Sequence, residues 1–340
     1  MKTTLLLTSL FVFGCSGPMA MGSADAGSLL GIGPGDDPRT QVADAGTNDA
    51  GTNDAGSTTD AGSGAIDAGQ GDGGLDPLRA ALLRARPYTL RAPAGTVTGP
   101  MPLVILLHGY GATGQVQNLY FGLNAQSDRS GFLLATPDGT IDASNRRFWN
   151  ATDACCNFAA ATVDDVEYLH AIIDDAQRRH AVDAKRVFLI GHSNGGFMSH
   201  RMACDASSRI AAIVSFAGAT WKNAMQCPAQ PGVSVLQVHG TMDGTIAYGG
   251  GNLQGVEFPG AIETAAQWAQ RNGCGAKAAV GAVDLISTLA GDETTQERYS
   301  GCTAGAVELW TMQGGSHTPS FNTATWSASI VGFLLAHPKP

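Results

Sequence analysis

The chain has 340 residues, of which 44% are hydrophobic and 14% charged, and its formal net charge is −9. Most of the negative charge lies in residues 16–75, which contain nine aspartates and a single arginine, so the rest of the chain is nearly neutral. A nearly neutral domain lacks the basic stripe of a nucleic-acid-binding protein and the polybasic patch of a membrane-surface protein. We therefore expect no nucleic-acid partner.

The N-terminus has the pattern of an export signal. A basic start precedes a short apolar run over residues 5–13, which is shorter than the roughly 20 residues that span a bilayer. These features predict a secretory signal over residues 1–15. The "VFGC" that ends it resembles a lipoprotein signal, in which Cys15 receives the lipid, and ordinary cleavage near the "ADA" of residues 24–26 is the alternative. Either way we expect an extracellular or cell-surface protein. If Cys15 carries the lipid, that lipid is the only membrane contact we expect.

Residues 16–75 have a different composition from the rest of the chain. The tripeptide "DAG" recurs, beginning at Asp44, Asp49, Asp54, Asp60 and Asp67. A segment with so few large apolar residues cannot bury enough surface to offset its ordering entropy, so we predict a disordered linker. A calcium loop is not expected, because the twelve-residue loop closes with a glutamate and this segment has none.

Strand-like and helix-like patterns alternate over residues 76–340. Short apolar runs predict strands, and apolar residues at helical spacing predict helices. In chain order these are a strand at 102–107, a strand at 132–135, a helix at 163–180, a strand at 187–190, a helix at 195–204, strands at 211–216 and 233–238, a helix at 261–271, a strand at 307–311 and a helix at 324–335. This alternation predicts one α/β domain with a mostly parallel central sheet and helices on both faces.

The sequence "GHSNG" places Ser193 between the strand at 187–190 and the helix that follows it. A strand-to-helix turn of the form G-x-S-x-G exposes the serine hydroxyl at the carboxyl edge of the sheet. The flanking glycines let neighbouring backbone pack closely, since they have no Cβ. We therefore predict that Ser193 is a nucleophile.

A nucleophilic serine needs a base, and the base needs an acid that orients it. In enzymes with this turn, the chain order is serine, acid, histidine. Asp243 follows the strand at 233–238, and His317 follows the strand at 307–311 after two glycines. We predict that Asp243 is the acid and His317 the base.

Two backbone amides are candidates for the oxyanion hole. The amide of Asn194 begins the helix after the nucleophile, where unpaired N–H groups favour negative charge. The second donor should come from the loop after an early strand, and "LVILLHGYG" supplies Tyr110 at that place. The Tyr110 ring also lies where it could line an acyl pocket.

These motifs together resemble the secreted polyhydroxybutyrate depolymerase-like and feruloyl esterase-like branch of the α/β-hydrolases. The matching stretches include "LVILLHGYGATG", "FWNATDACCNF", "RVFLIGHSNGGFMSHRMACD", "VLQVHGTMDGTIAY" and "GGSHTPS", and the match covers nearly all of residues 86–335. The resemblance implies the α/β-hydrolase fold and places the nucleophile, acid and base on Ser193, Asp243 and His317. The family often has an aromatic residue and a proline after the histidine, whereas this chain has Thr318 and Pro319, which leaves the shape of the acyl pocket open.

Seven cysteines fit an oxidising compartment. With a lipid on Cys15, six remain for three disulfides, and the sequence alone cannot select among their pairings. The resemblance implies one disulfide between Cys274 and Cys302, and two that join Cys155 and Cys156 to Cys204 and Cys227 in an order that stays open. A zinc site is not expected, because the chain lacks paired C-x₂₋₄-C spacing.

The sequence therefore predicts an exported, monomeric serine esterase without cofactor or metal. Its substrates would be hydroxyalkanoate polyesters or oligomers, or feruloyl or acetyl esters of polysaccharides. Acyl transfer and peptide hydrolysis could use the same residues, and a lipoprotein that binds glycan or polyester without turnover is a further alternative. Phe148, Trp149 and Trp221 are candidates to line the cleft, although they could equally be core aromatics.

Overall fold

A computed structural model describes residues 74–228 and 230–340. The predicted signal segment, Cys15 and all but the last two residues of the predicted linker lie outside the described residues. No helix within the described ranges is long and apolar enough to cross a membrane.

The described chain alternates strands and helices. The strands are β1 (Thr89–Arg91), β2 (Met101–Leu107), β3 (Leu133–Thr136), β4 (Thr140–Ile141), β5 (Arg147–Phe148), β6 (Val182–His192), β7 (Ala212–Phe216), β8 (Ser234–Gly240), β9 (Gly250–Leu253), β10 (Val256–Pro259), β11 (Lys277–Val283), β12 (Thr294–Tyr299) and β13 (Val307–Met312). The helices are α1 (Pro77–Ala85), α2 (Gly114–Phe121), α3 (Leu123–Ser130), α4 (Asp165–Arg179), α5 (Asn194–Asp205), α6 (Ala261–Arg271) and α7 (Thr323–Ala336), with a 3₁₀ turn at Ala224–Gln226.

Nine strands form the main sheet in the order β1-β3-β2-β6-β7-β8-β13-β12-β11. The six strands from β3 to β13 pair in parallel, while β1 on one edge and β12 and β11 on the other are antiparallel. The predicted parallel α/β sheet is therefore confirmed at its centre. Because the carboxyl ends of parallel strands lie on one edge, the turns after β2, β6, β8 and β13 lie together.

Both faces of the sheet are buried. Successive residues of β2 alternate between two apolar clusters, with Leu103 and Ile105 in one and Val104 and Leu106 in the other. Residues of α4, α5 and α6 contribute to the first cluster, and residues of α2, α3 and α7 to the second. Burial on both faces explains why these strands are continuous apolar runs rather than alternating patterns.

The helix at α4 shows how local sequence sets element bounds. Its cap residue Asp164 accepts a hydrogen bond from the Glu167 amide at 2.9 Å, and Arg178 and Arg179 occupy its last turn. An acidic N-terminus and a basic C-terminus complement the helix dipole. The helix therefore begins and ends within two residues of the predicted bounds, 163–180.

Candidate active site

Ser193 lies in the turn between β6 and α5, with φ 54° and ψ −121°. A positive φ is strained for a residue with a Cβ, and such strain at a strand-to-helix turn is typical of a nucleophile. Two backbone hydrogen bonds hold the turn, from the Ser193 amide to the Phe216 carbonyl at 2.8 Å and from the Phe197 amide to the Ser193 carbonyl at 3.0 Å. The strained conformation is therefore fixed by β7 on one side and α5 on the other.

The glycines around Ser193 allow close backbone packing. A Cβ on Gly191 would overlap the carbonyl of Gly195, and a Cβ on Gly195 would overlap the carbonyl of Leu107. A Cβ on Gly109 would lie 3.4 Å from the Ser193 Cβ. The loop after β2 thus lies directly against the serine turn, as the glycine pattern predicts.

Asp243 and His317 form a direct hydrogen bond. The His317 Nδ1 lies 2.7 Å from the Asp243 Oδ2. The other carboxylate oxygen, Oδ1, accepts hydrogen bonds from the amides of Thr245 and Ile246, both at 2.8 Å. The Asp243 side chain is fully buried and that of His317 is 16% exposed. The carboxylate is therefore fixed in orientation, and the imidazole keeps an accessible edge.

The pKa of the Asp243 carboxyl is held well below its usual range. Burial pushes this pKa upward, but hydrogen bonds from His239, His317 and the Ile246 amide, with the charge of His317, together outweigh burial. Asp243 is consequently ionised across the physiological pH range.

His317 is also bound to the residue that precedes the serine. The His192 Nε2 lies 3.0 Å from the His317 carbonyl oxygen, and the two ring centroids are 5.0 Å apart. Burial and the neighbouring His317 lower the pKa of His192 to about 3, so the ring is neutral and its Nε2–H donates to that carbonyl. The structure therefore brings Asp243, His317 and the Ser193 turn to one edge of the sheet.

The two predicted oxyanion donors lie in the loop after β2 and at the start of α5. No hydrogen bond within residues 74–228 and 230–340 has the Tyr110 amide as its donor. Asn194 is the first residue of α5, where the amides have no acceptor within the helix. The Asn194 side chain is occupied elsewhere, because it accepts from the Trp149 amide at 2.7 Å and donates to the Trp149 carbonyl at 3.0 Å. The predicted oxyanion donor is therefore its backbone N–H and not its side chain.

The three aromatic candidates for the cleft wall differ in the structure. Trp149 has no exposed surface and donates its indole N–H to the His108 carbonyl at 3.0 Å, so the prediction that it lines the cleft is wrong. Trp221 belongs to the same apolar cluster and is 7% exposed. Phe148 lines a cavity of about 370 Å³ beside Tyr110 and Phe158. Sequence alone could not separate these rings, because burial depends on how the loops pack.

The structure contains three disulfides within the described ranges. Cys274 pairs with Cys302, as the resemblance implies. The predicted bridges from Cys155 and Cys156 to the other two cysteines are not formed, since Cys204 pairs with Cys227 and the two adjacent cysteines pair with each other. The Cα atoms of Cys204 and Cys227 are 5.0 Å apart, within the usual range for a disulfide. No group of three or more His, Cys, Asp or Glu in the described part of the chain could hold a metal ion.

Comparisons with known proteins relate the chain to esterases. Residues 98–256 match the family described as phospholipase/carboxylesterase. Feruloyl esterase B of Piromyces equi is 30% identical over 206 residues, which cover 58% of this chain and 35% of that protein. Feruloyl esterase D of Neurospora crassa is 26% identical over 239 residues, covering 70% of this chain and 75% of that protein. This chain thus spans about a third of the Piromyces protein and three quarters of the Neurospora protein.

Among solved structures, the acetyl xylan esterase from Aspergillus awamori superposes with a TM-score of 0.53 at 15% identity, over 72% of this chain and 93% of that one. That likeness concerns the fold. The chain has the α/β-hydrolase fold. Its similarity to esterases makes it an ester-hydrolysing enzyme of that fold.

Proposed function

We propose that the protein is an exported serine esterase in which Ser193 is the nucleophile, His317 the general base and Asp243 the acid that orients it. The observation that carries the proposal is the hydrogen bond between His317 Nδ1 and Asp243 Oδ2 beside the strained Ser193 turn. With Nδ1–H bound to the carboxylate, the Nε2 of a neutral His317 is an acceptor for the serine proton.

The proposed reaction has two half-reactions. The Ser193 Oγ attacks the ester carbonyl carbon while His317 Nε2 takes the hydroxyl proton, and the amides of Tyr110 and Asn194 stabilise the oxyanion. The imidazolium then gives its proton to the leaving alcohol, which leaves an acyl-serine. Water attacks the acyl carbon, His317 takes the water proton and returns it to the serine oxygen, and the carboxylic acid leaves. Buried, ionised Asp243 stabilises the imidazolium in both halves.

The cavity beside Tyr110 has the size and the apolar lining to bind a bulky apolar group of the substrate. Tyr110, Phe148 and Phe158 line it, and the edge of the Phe158 ring packs against Tyr110 with centroids 5.8 Å apart. Phe158 is 43% exposed and Ile141 50%, so apolar surface is open to a ligand. Because Tyr110 both lines the cavity and carries the proposed oxyanion amide, we propose that the cavity lies next to the reacting carbonyl. We propose that it accepts the aryl or alkyl group of the ester, and two relatives are named feruloyl esterases.

A substrate panel on the full chain tests this proposal. It contains p-nitrophenyl acetate and butyrate, methyl ferulate, acetylated xylan, hydroxybutyrate oligomers and casein. We expect methyl ferulate or butyrate to have a higher kcat/KM than acetate. Hydrolysis of casein alone, or of no ester, would contradict the proposed function.

A cavity variant tests the position of the substrate. Phe158→Ala should lower kcat/KM for methyl ferulate about tenfold, the size expected from losing part of one aromatic contact, and should leave acetate turnover unchanged. Val280→Ala is the control, because Val280 lies 53% exposed on β11 at the far edge of the sheet. Equal losses for both esters would place the substrate elsewhere.

We propose export with a signal over residues 1–15, a linker over 16–75 and a catalytic domain over 76–340. The disulfides support an oxidising compartment, and Cys15 has the sequence context of a lipidated cysteine. Cys15→Ser should then release the protein from the membrane fraction of the expressing cells. A parent protein that is already entirely in the soluble fraction would contradict lipidation, and one retained in the cytoplasm would contradict export.

A further inference from the structure

A line of buried polar side chains runs from α6 to the proposed catalytic acid. The Trp268 Nε1 lies 2.9 Å from the His200 Nδ1, and the His200 Nε2 lies 3.0 Å from the Gln237 Oε1. The Gln237 Nε2 lies 3.4 Å from the His239 Nδ1, and the His239 Nε2 lies 3.3 Å from the Asp243 Oδ2. The first four of these side chains are at most 1% exposed, so water does not replace their mutual hydrogen bonds.

The donors of this line all point the same way. An indole N–H can only donate, so His200 accepts at Nδ1 and, being neutral in its buried site, carries its proton on Nε2. That Nε2–H donates to the Gln237 oxygen, which leaves the Gln237 amide nitrogen as the donor to the Gly218 carbonyl at 2.9 Å and to His239 Nδ1. His239 must then carry its proton on Nε2, on the side of Asp243.

The His239 proton completes the hydrogen bonding of the carboxylate. The His239 Nε2 makes its shorter contact, 2.7 Å, with the Ile246 carbonyl and a longer contact, 3.3 Å, with the Asp243 Oδ2. Oδ2 therefore faces two histidines, His317 at 2.7 Å and His239 at 3.3 Å, while Oδ1 accepts from the amides of Thr245 and Ile246. A carboxylate has about four lone-pair directions, and the His239 contact is the fourth one around Asp243.

We propose that His239 is a positioning residue: its Nε2–H holds the Asp243 carboxylate in the rotation that points Oδ2 at His317. The inference rests on the proposed function, since it concerns how the acid orients the base. His239 is 1% exposed, so its ring does not contact the substrate. Its loss should therefore lower kcat and leave KM unchanged.

Variants of the full chain separate positioning from packing. His239→Phe keeps a ring but removes the donor, and should lower kcat about tenfold or more, the scale of one hydrogen bond to a charged group. His239→Gln keeps an amide N–H and should restore most of kcat. His200→Phe is the matched control, because the Gly218 carbonyl still orients the Gln237 amide when His200 is lost, so this variant should lower Tm while kcat stays within about threefold.

Equal loss of kcat in His239→Phe and His200→Phe would overturn the inference, as would parent-like kcat in a folded His239→Phe protein. The ¹⁵N resonances of histidine side chains in the parent protein give a test that needs no variant. The expected result is a neutral His239 protonated on Nε2, and protonation on Nδ1 would overturn the inference. Either result is independent of the proposed function, which fails only if the parent has no serine-dependent esterase activity.

Discussion

Replacing Asp243 with asparagine should move the proton of the His317 ring from Nδ1 to Nε2. The amides of Thr245 and Ile246 hold the carboxylate oxygen Oδ1 at 2.8 Å each, so the single oxygen of the introduced amide should stay there. Its NH₂ group then takes the place of Oδ2 and faces the His317 Nδ1. The imidazole relieves the clash of two donors by moving its proton to Nε2, where it can no longer accept the proton of Ser193.

The size of the effect follows from these contacts. Recovering the productive tautomer forgoes a charge-assisted hydrogen bond, about 1.5–3 kcal/mol, and leaves a buried donor facing a donor, about 1–3 kcal/mol. The sum is roughly 3–6 kcal/mol, and 1.36 kcal/mol corresponds to about tenfold in rate. Asp243→Asn should therefore lower kcat/KM by roughly a hundred- to ten-thousand-fold.

The assay is p-nitrophenyl acetate hydrolysis by the full chain, with circular dichroism to show that the fold is retained. Asp175→Asn is the control, because Asp175 is also buried and accepts hydrogen bonds from Tyr88 and from Arg178 and Arg179, away from the sheet edge that carries Ser193. Its kcat/KM should equal that of the parent. A folded Asp243→Asn protein with more than a tenth of the parent kcat/KM would refute the reasoning.

Three further outcomes are expected. Gly195→Ala should destabilise the protein by about 2 kcal/mol or more and remove activity, because the new Cβ would overlap the backbone at the end of β2. Gly332→Ala is the control, because its Cβ would meet nothing within 4 Å, and it should be neutral or stabilising in urea unfolding. Replacing Cys274 and Cys302 by serine removes a disulfide between residues 28 positions apart, which stabilises the fold by about 3–4 kcal/mol. At about 2 °C per kcal/mol, calorimetry should show a Tm lower by about 6–8 °C. An unchanged Tm would show that the disulfide is not formed. The pKa of Asp243 is lower in the folded than in the unfolded state, so ionised Asp243 stabilises the fold above the unfolded-state pKa of about 3.9. This stabilisation is lost as the pH falls toward the folded-state pKa. The free energy of unfolding should therefore decrease as the pH is lowered from about 4, and it should decrease less steeply in Asp243→Asn.

The central strands of the sheet were predictable because burial on both faces makes each of them a continuous apolar run in the sequence. The strands at β2, β7, β8 and β13 and the helix α6 are found where apolar runs and helical spacing predict them. The strands β11 and β12 were not predicted, since "KAAVGAV" is largely exposed and "TTQERY" is only partly buried. They owe their structure to pairing, β12 with β13 and β11 with β12. The β-propensity of a segment gives little information where its pairing with neighbouring strands determines whether it forms a strand.

The candidate site was predictable to the level of its main residues. Ser193, Asp243 and His317 each follow a strand that ends at the same sheet edge, and chain order then assigns their proposed roles. The contact of His239 with Asp243 was missed, because it depends on how the turn after β8 folds back on that strand. The bond from His192 to the His317 carbonyl was missed, because it depends on how two loops distant in sequence meet. The repeated His-Gly at the ends of β2 and β8 was a sequence signal, but it does not indicate which atoms meet.

The most direct test of the central proposal is active-site labelling of the intact protein. A fluorophosphonate should modify Ser193 alone, as read by peptide mass spectrometry, with loss of ester hydrolysis in proportion to labelling. Ser193→Ala should be folded, unlabelled and slower by several orders of magnitude, because nucleophile, base and acid act as a unit. Labelling at another serine, or a Ser193→Ala protein that hydrolyses esters near the parent rate, would contradict the account.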